Sequence, residues 1–177
     1  METKITTMSP FFEEPHTALS IREVARRIKT SHTAVRKHLA QLRKEGYLLK
    51  KDTKPYAAYA ADIHSRAYLN LKLFYNLEKI RLFGAVEKLE QAYDYPTIIL
   101  FGSFAKALDD EKSDVDLCII TAAKNTVDVL PLERSLRRKV SLHLFDKKSW
   151  SEAKKKNPGL VNSICNGIVL SGQLEVL

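Results

Sequence analysis

From Ser20 onward the apolar positions recur with a helical period. Ile21, Val24, Ala25 and Ile28 stand at i, i+3, i+4 and i+7 and form one stripe. Ser20 followed by Glu23 is a capping box, so the pattern predicts a helix that begins at Ile21. The pattern breaks at Lys29-Thr30, where Thr30 or Ser31 supplies the cap of a second helix. That helix turns Val35, Leu39 and Leu42 inward and stops near Gly46. Residues 47–50 and 56–60 then read as two short strands around the polar tip Lys51-Asp52-Thr53-Lys54. Residues 61–95 return to helical spacing, with Asp62 as N-cap and a stripe of Ile63, Ala67, Leu71, Phe74 and Leu77. Leu69, Leu73 and Ile80 widen that stripe enough to serve more than one surface, and Gly84 divides the segment into two helices ahead of Pro96.

Beyond Pro96 the pattern changes to short apolar runs. Residues 97–101 (TIILF) predict a buried strand, ended by Gly102-Ser103 and a helical turn FAKAL that aims backbone N–H groups toward an anion. A second run, LCII, is opened by Asp114-Val115-Asp116. On a strand, residues i and i+2 share a face, so both carboxylates point one way and Val115 the other. Residues 139–145 (KVSLHLF) alternate, with Val140, Leu142 and Leu144 toward the core and Ser141, His143 and Phe145 opposite. The tail reads as a helix SWSEAKKK, a turn at Asn157-Pro158-Gly159 and a further helix near 160–166.

Composition narrows the class. The 177 residues fit one domain or two small ones, and 45% apolar with 28% charged residues is ordinary for a soluble globular chain. No apolar run approaches the roughly 18 residues of a membrane span. The start METKITTMSPFFEE lacks the basic end and apolar stretch of a signal peptide. Cys118 and Cys165 have no metal-ligand or CxxC spacing and read as reduced packing residues, so a cytoplasmic protein is expected.

Charge is uneven. The net charge is +8, and residues 21–54 alone hold 11 Lys and Arg against 3 Asp and Glu. A basic excess confined to one small unit suggests a polyanion partner, the plain alternative being a solvated lysine-rich surface. On the second helix His32, Thr33, Arg36 and Lys37 point away from the core stripe and suit the edges of bases in a major groove. Arg43, Lys44, Lys50, Lys51 and Lys54 suit phosphates. His32 and His38 have no third ligand, which argues against a metal site there. The order of helix, turn, helix, LxxLxxxGYL and hairpin resembles the winged helix-turn-helix family of transcription regulators. DNA is the partner that resemblance implies, and the helical connector serves either as packing between domains or as the seam of a homodimer reading paired half-sites.

The two aspartates carry the remaining chemistry. Carboxylates beside a core need a positive partner, and a pair on one face next to a small-residue turn makes a natural Mg²⁺ site completed by substrate phosphates and water. An apolar strand, Gly-Ser, ten residues and Asp-x-Asp on a second strand resemble the DNA polymerase beta superfamily of nucleotidyltransferases, in particular its minimal branch, over about residues 80–177. By that resemblance Gly102 lets the backbone approach the triphosphate of an NTP, and Ser103 binds its outer phosphates. Asp114 and Asp116 hold the metal ions and are catalytic. Lys106 stands where the family often has a basic residue, although a solvated lysine fits as well. The family's third carboxylate falls at Ser141, with His143 two residues on, and neither is an acid. Asp146 has the wrong parity, and Asp128 and Glu133 lie in the intervening loop and helix.

The expected architecture is α+β: an N-terminal winged helix-turn-helix (1–60), a helical connector (61–95) and a nucleotidyltransferase-like mixed sheet with flanking helices (96–177). The expected function is Mg²⁺-dependent transfer of NMP from an NTP to a protein or nucleic-acid hydroxyl. The alternative is a DNA-binding regulator that senses NTP without turnover, which the missing third acid favours.

Overall fold

A computed structural model describes residues 2–52 and 56–175. The chain divides into two compact units, Met1–Tyr75 and Asn76–Leu177, and mixes helices with two sheets in an α+β fold.

The first unit begins with a helix that the apolar pattern did not announce, α1 (Glu2–Glu13), whose Met8, Phe11 and Phe12 are buried. A two-residue strand β1 (Leu19–Ser20) leads into α2 (Ile21–Arg27) through the expected capping box. The Glu23 amide donates to Ser20 Oγ (3.3 Å), and the Ser20 amide donates to Glu23 Oε2 (2.8 Å). The Ser20 amide, with help from the Ser20 hydroxyl, holds the Glu23 carboxyl below its ordinary pKa. Helix α2 ends at Lys29, a non-glycine residue at φ 53°, where the Thr30 amide returns to the Ala25 carbonyl (3.0 Å). Of the two expected caps Ser31 is used: its hydroxyl accepts from the Ala34 amide (3.3 Å) at the head of α3 (His32–Lys44). Val35, Leu39 and Leu42 are the buried face of α3, each worth about 1.5–3 kcal/mol against exposure. Gly46 (φ 77°) ends it, with the Tyr47 amide returning to the Leu42 carbonyl (3.0 Å).

Strands β2 (Leu48–Lys51) and β3 (Ala58–Ala61) pair antiparallel, shifted about a residue from the expected bounds, and β1 adds to β3 for the order β1-β3-β2. The expected hairpin tip is only partly seen, because Thr53 and Lys54 lie outside the described residues.

Helix α4 (Arg66–Leu82) departs from the reading in two ways. Asp62 does not cap it; its carbonyl closes a turn with the Ser65 amide (2.9 Å), and the Leu69 amide donates to the Ser65 carbonyl (3.0 Å). The expected stripe is also rotated. Tyr68, Lys72, Asn76 and Ile80, at i+4 steps, are 1 to 2% exposed, whereas Phe74 is 41% exposed. Two polar residues occupy the buried face, and they hide it from a hydrophobic pattern. Gly84 (φ 62°) precedes α5 (Ala85–Tyr93) as expected.

In the second unit one sheet runs in the order β6 (Val140–Phe145), β5 (Val115–Ile120), β4 (Thr97–Phe101), β7 (Ile168–Ser171). Strand β4 (Thr97–Phe101) runs antiparallel to β5 (Val115–Ile120), with Phe101 opposite Asp116. Helix α6 (Leu130–Leu136) carries the chain back to β6 (Val140–Phe145), parallel to β5. Helices α7 (Lys147–Lys156) and α8 (Pro158–Cys165) follow, then β7 (Ile168–Ser171), antiparallel to β4 with an irregularity at Ile98/Ile99. Alternation sorts the side chains. One face packs Ile98, Leu100, Val115, Leu117, Ile119 and Val140 with α5 and α6; the other packs Ile99, Phe101 and Cys118 with Trp150, Val161 and Ile164. Leu144, expected in the core, is 47% exposed, because β6 is an edge strand with cover missing at that end. Burial pushes the Cys118 thiol up to about 12, and both cysteines are unbridged.

Candidate active site

Gly102 follows β4 directly and has φ +74°, a conformation glycine adopts without the Cβ penalty. Space imposes the same residue, since a Cβ at Gly102 would overlap the Asp116 carboxylate. The β4–β5 hairpin register is what brings them together, because Phe101 faces Asp116. The expected helical opening at FAKAL is a single 3₁₀ turn (Phe104–Lys106), too short to carry much dipole. Any hold on an anion there comes from individual amides and from the Ser103 hydroxyl, which makes no capping bond. The Ser103 carbonyl accepts from the Lys106 (3.1 Å) and Leu108 (3.0 Å) amides, and Ala107 takes φ 56° to allow it.

Asn76 secures this turn and was not singled out in the sequence. Its amide Nδ2 donates to the Phe104 carbonyl (2.9 Å) and to Asp109 Oδ1 (2.8 Å), all within the buried interior. The loop that follows is pinned by Asp110 Oδ1, which accepts from the Lys112 amide (2.9 Å) and the Ser113 hydroxyl (3.0 Å). It delivers Asp114, exposed, to the residue before β5.

Asp116 lies inside β5, half-buried, on the Cys118 face. Burial raises its carboxyl above the ordinary range; His143 partly offsets that, and the negative charge of Asp114 adds to it. The two carboxylates therefore feel each other, as alternation requires. Among the described residues neither accepts a hydrogen bond or pairs with a cation. A half-buried carboxylate with a like charge beside it and no hydrogen bond or close ion pair is unfavourable unless a cation joins it. Two oxygen-donor side chains fit a hard divalent ion that completes its shell with phosphates and water. No group of three or more His, Cys, Asp or Glu side chains gathers among the described residues.

The neighbouring strand explains that shortfall. In the parallel ladder Asp116 stands beside Ser141 and Cys118 beside His143. Ser141 Oγ and His143 Nε2 are 3.2 Å apart, and the His143 ring meets Phe101 edge-on at 5.2 Å. The other acids have local work. Asp146 caps α7, accepting from the Ser149 amide (2.7 Å), which lowers its pKa. Asp128 Oδ1 accepts from the Leu130 amide (3.0 Å), and Glu133 Oε1 from the Val140 amide (2.9 Å). Lys106 is exposed.

In the first unit His32, Thr33, Arg36 and Lys37 are exposed on the leading turns of α3, and Arg43 and Lys44 on its last turn. Lys50 and Lys51 are exposed on β2, Lys50 lying 3.1 Å from Asp52; Lys54 lies outside the described residues. His38 instead turns inward, its Nδ1 3.4 Å from Thr7 Oγ1 on α1.

Residues 85–174 match the family Polymerase beta, Nucleotidyltransferase, and the chain belongs to that family. The second unit is thus a nucleotidyltransferase-type domain, whose family chemistry uses an NTP and a divalent metal. Among solved structures the chain is similar to a candidate transcriptional regulator from Rhodococcus sp. RHA1, with 16% identity and a TM-score of 0.32 over 71% of this chain. It spans 46% of that protein's length. No curated protein matches the chain.

Proposed function

We propose that the second unit transfers a nucleoside monophosphate from an NTP to an acceptor hydroxyl, with Mg²⁺ held by Asp114 and Asp116. One observation carries this reading: the Gly102 turn is packed against the carboxylate of Asp116, with room for nothing larger than glycine. The triphosphate would lie along the backbone of Gly102 and Ser103 and the Ser103 hydroxyl, with Lys106 near enough in sequence to add a charge. The metal would neutralise the triphosphate. Asp116 supports its side of this only when ionised, which the ion itself favours.

The first unit is read as a winged helix-turn-helix. Helix α3 would enter the major groove with His32, Thr33, Arg36 and Lys37, while Arg43, Lys50, Lys51 and Lys54 contact phosphates. A homodimer would place two such helices on paired half-sites.

A second reading rests on Ser141, the neutral neighbour of Asp116. Without a third acid the domain would bind NTP and alter DNA affinity without transfer. The two readings separate in one assay: purified protein, Mg²⁺ and each labelled NTP with host lysate, beside the Asp114→Ala/Asp116→Ala variant. Label transfer lost in the variant supports the enzyme. Tight NTP binding without transfer, accompanied by a change in DNA affinity, supports the sensor. Neither transfer nor binding overturns both.

A further inference from the structure

Phe101, Asp116 and Ser141 form a row across three neighbouring strands: Phe101 of β4 is opposite Asp116 of β5, and Asp116 is beside Ser141 of β6. Residues paired across a ladder share a face, so the Ser141 hydroxyl stands on the Asp116 side of the sheet. His143, two residues on, shares that face. Ser141 Oγ and His143 Nε2 are 3.2 Å apart, and the imidazole meets the Phe101 ring edge-on at 5.2 Å between centroids. A serine and a histidine two apart on an edge strand can meet for no reason beyond alternation. Two further observations set this pair apart. The Phe101 contact reaches across β5 and fixes the ring from the far side. The imidazole is also close enough to Asp116 to lower its carboxyl against the larger, raising effect of burial. A hydroxyl, a base within hydrogen-bond reach and a third group that orients the base are the arrangement that activates a serine nucleophile. Ser141 and His143 are both half-buried, so neither is sealed from solvent.

We propose that Ser141 is itself an acceptor: the domain transfers a nucleoside monophosphate from a bound NTP to its own Ser141 hydroxyl, with His143 taking the proton. This rests on the transfer reading above and names an acceptor for it. Placement selects the residue. In that reading the outer phosphates lie at Gly102 and Ser103, at the end of β4, and Asp116 on β5 holds the ion. Ser141 is on β6, on the opposite side of Asp116 from β4. With neighbouring strands about 4.8 Å apart, β4 and β6 are separated by roughly 10 Å, and the α-phosphorus would lie over the strand between them. A hydroxyl on the β6 side then meets the α-phosphorus from the side away from pyrophosphate, as in-line displacement requires. The bond from Ser141 Oγ to phosphorus forms, the bond from that phosphorus to the bridging oxygen breaks, and pyrophosphate leaves with the electron pair. The Ser141 proton passes to His143 Nε2 and from there to water. The product is a phosphodiester of serine. An aspartate at this position offers no hydroxyl, so in Ser141→Asp only transfer to a separate acceptor can rise.

The test uses the full chain with Mg²⁺ and, in turn, ATP, CTP, GTP or UTP labelled at the α-phosphate, without lysate. At least one nucleotide should add a single nucleoside monophosphate to the chain by intact mass, and peptide mapping should place it on Ser141. Ser141→Ala should carry no label, and Ser141→Thr should keep part of it. His143→Gln should label at least about tenfold more slowly, since general-base assistance is typically worth about 10²–10⁴. The first-order rate should not change with protein concentration. Label on another residue, label undiminished in Ser141→Ala, or a rate proportional to protein concentration overturns the proposal. A second measurement needs neither metal nor nucleotide: in EDTA an alkyl fluorophosphonate should modify Ser141, and His143→Gln should slow that reaction by a similar factor. Equal rates in the two proteins overturn the activation by His143. Mg²⁺·NTP binding and label transfer to host lysate are measured on the same samples. A chain that binds NTP and stays unlabelled ends the proposal; the transfer reading then stands if a lysate component is labelled and gives way to the sensor if none is. A chain that neither binds NTP nor labels anything ends both. The thermal transition of each variant shows whether it is folded.

Discussion

Ser141 stands beside Asp116 in the parallel β5–β6 ladder, and its hydroxyl shares a 3.2 Å contact with the His143 imidazole. The position next to the second aspartate of the pair is thus neutral. A hydroxyl is a weak ligand for a hard divalent ion and a poor proton acceptor. Ser141→Asp places a carboxylate on the same face as Asp116, and transfer should rise by at least about tenfold, given that general-base assistance is typically worth about 10²–10⁴. Single-turnover label transfer checks this. Unchanged or lower activity, with NTP binding intact, shows that the third position lies elsewhere.

Gly102→Ala tests the packing on which the nucleotide reading depends. The new methyl would collide with the Asp116 carboxylate at a left-handed φ, and such strain costs on the order of 1–3 kcal/mol. NTP affinity should drop at least tenfold. The loss has a signature: in an Asp116→Gly background the same Gly102→Ala change should destabilise less, because the collision is gone and only the φ penalty stays. Equal costs in both backgrounds, by denaturant titration, would mean the two residues are not coupled.

The Asp116 carboxyl is raised chiefly by burial, so its sign is the reverse of a salt-bridged acid. Its contribution to stability is whole below the ordinary Asp range and fades as pH climbs through the raised native value. Asp116→Asn should therefore be more thermostable than the parent near neutral pH, and the difference should vanish in acid, where both side chains are neutral. Mg²⁺ should reverse the order at neutral pH, stabilising the parent and not the variant. Thermal melts from pH 3 to 8, with and without Mg²⁺, read both effects. A parent already the more stable without Mg²⁺ at neutral pH contradicts the assignment.

How much of this could be read in advance follows from which interactions leave a period in the sequence. Ser20 and Glu23 are three apart and bond to each other's backbone, so the start of α2 was legible; so was α3, whose Val35, Leu39 and Leu42 share one face. The Asp114/Asp116 pair and Gly102 were legible because strand alternation and a tight turn are local. The meeting of Gly102 with Asp116 was not, since it depends on the β4–β5 register and on a distance of 14 residues along the chain. Asn76 escaped notice because its partners, the Phe104 carbonyl and Asp109, lie 28 and 33 residues on. Helix α4 was misfaced for a related reason: Lys72 and Asn76 sit on its buried side, where a hydrophobicity count scores them as exposed.

On the winged-helix reading proposed above, the basic face of the first unit would make two kinds of contact. Arg36 is exposed on the leading half of α3, whereas Lys51 is exposed at the end of β2. If α3 lies in the major groove, Arg36→Ala should weaken the preferred DNA sequence by about 1–3 kcal/mol and leave non-specific duplex nearly unaffected. Lys51→Ala should weaken every sequence alike and reduce the salt slope by about 0.9, one phosphate contact on duplex DNA. Selection of a preferred site from a random duplex pool, followed by titration of both variants on selected and scrambled duplexes, gives the comparison. Losses from Arg36→Ala that are the same on both duplexes would place that residue on the phosphates and remove α3 from the groove.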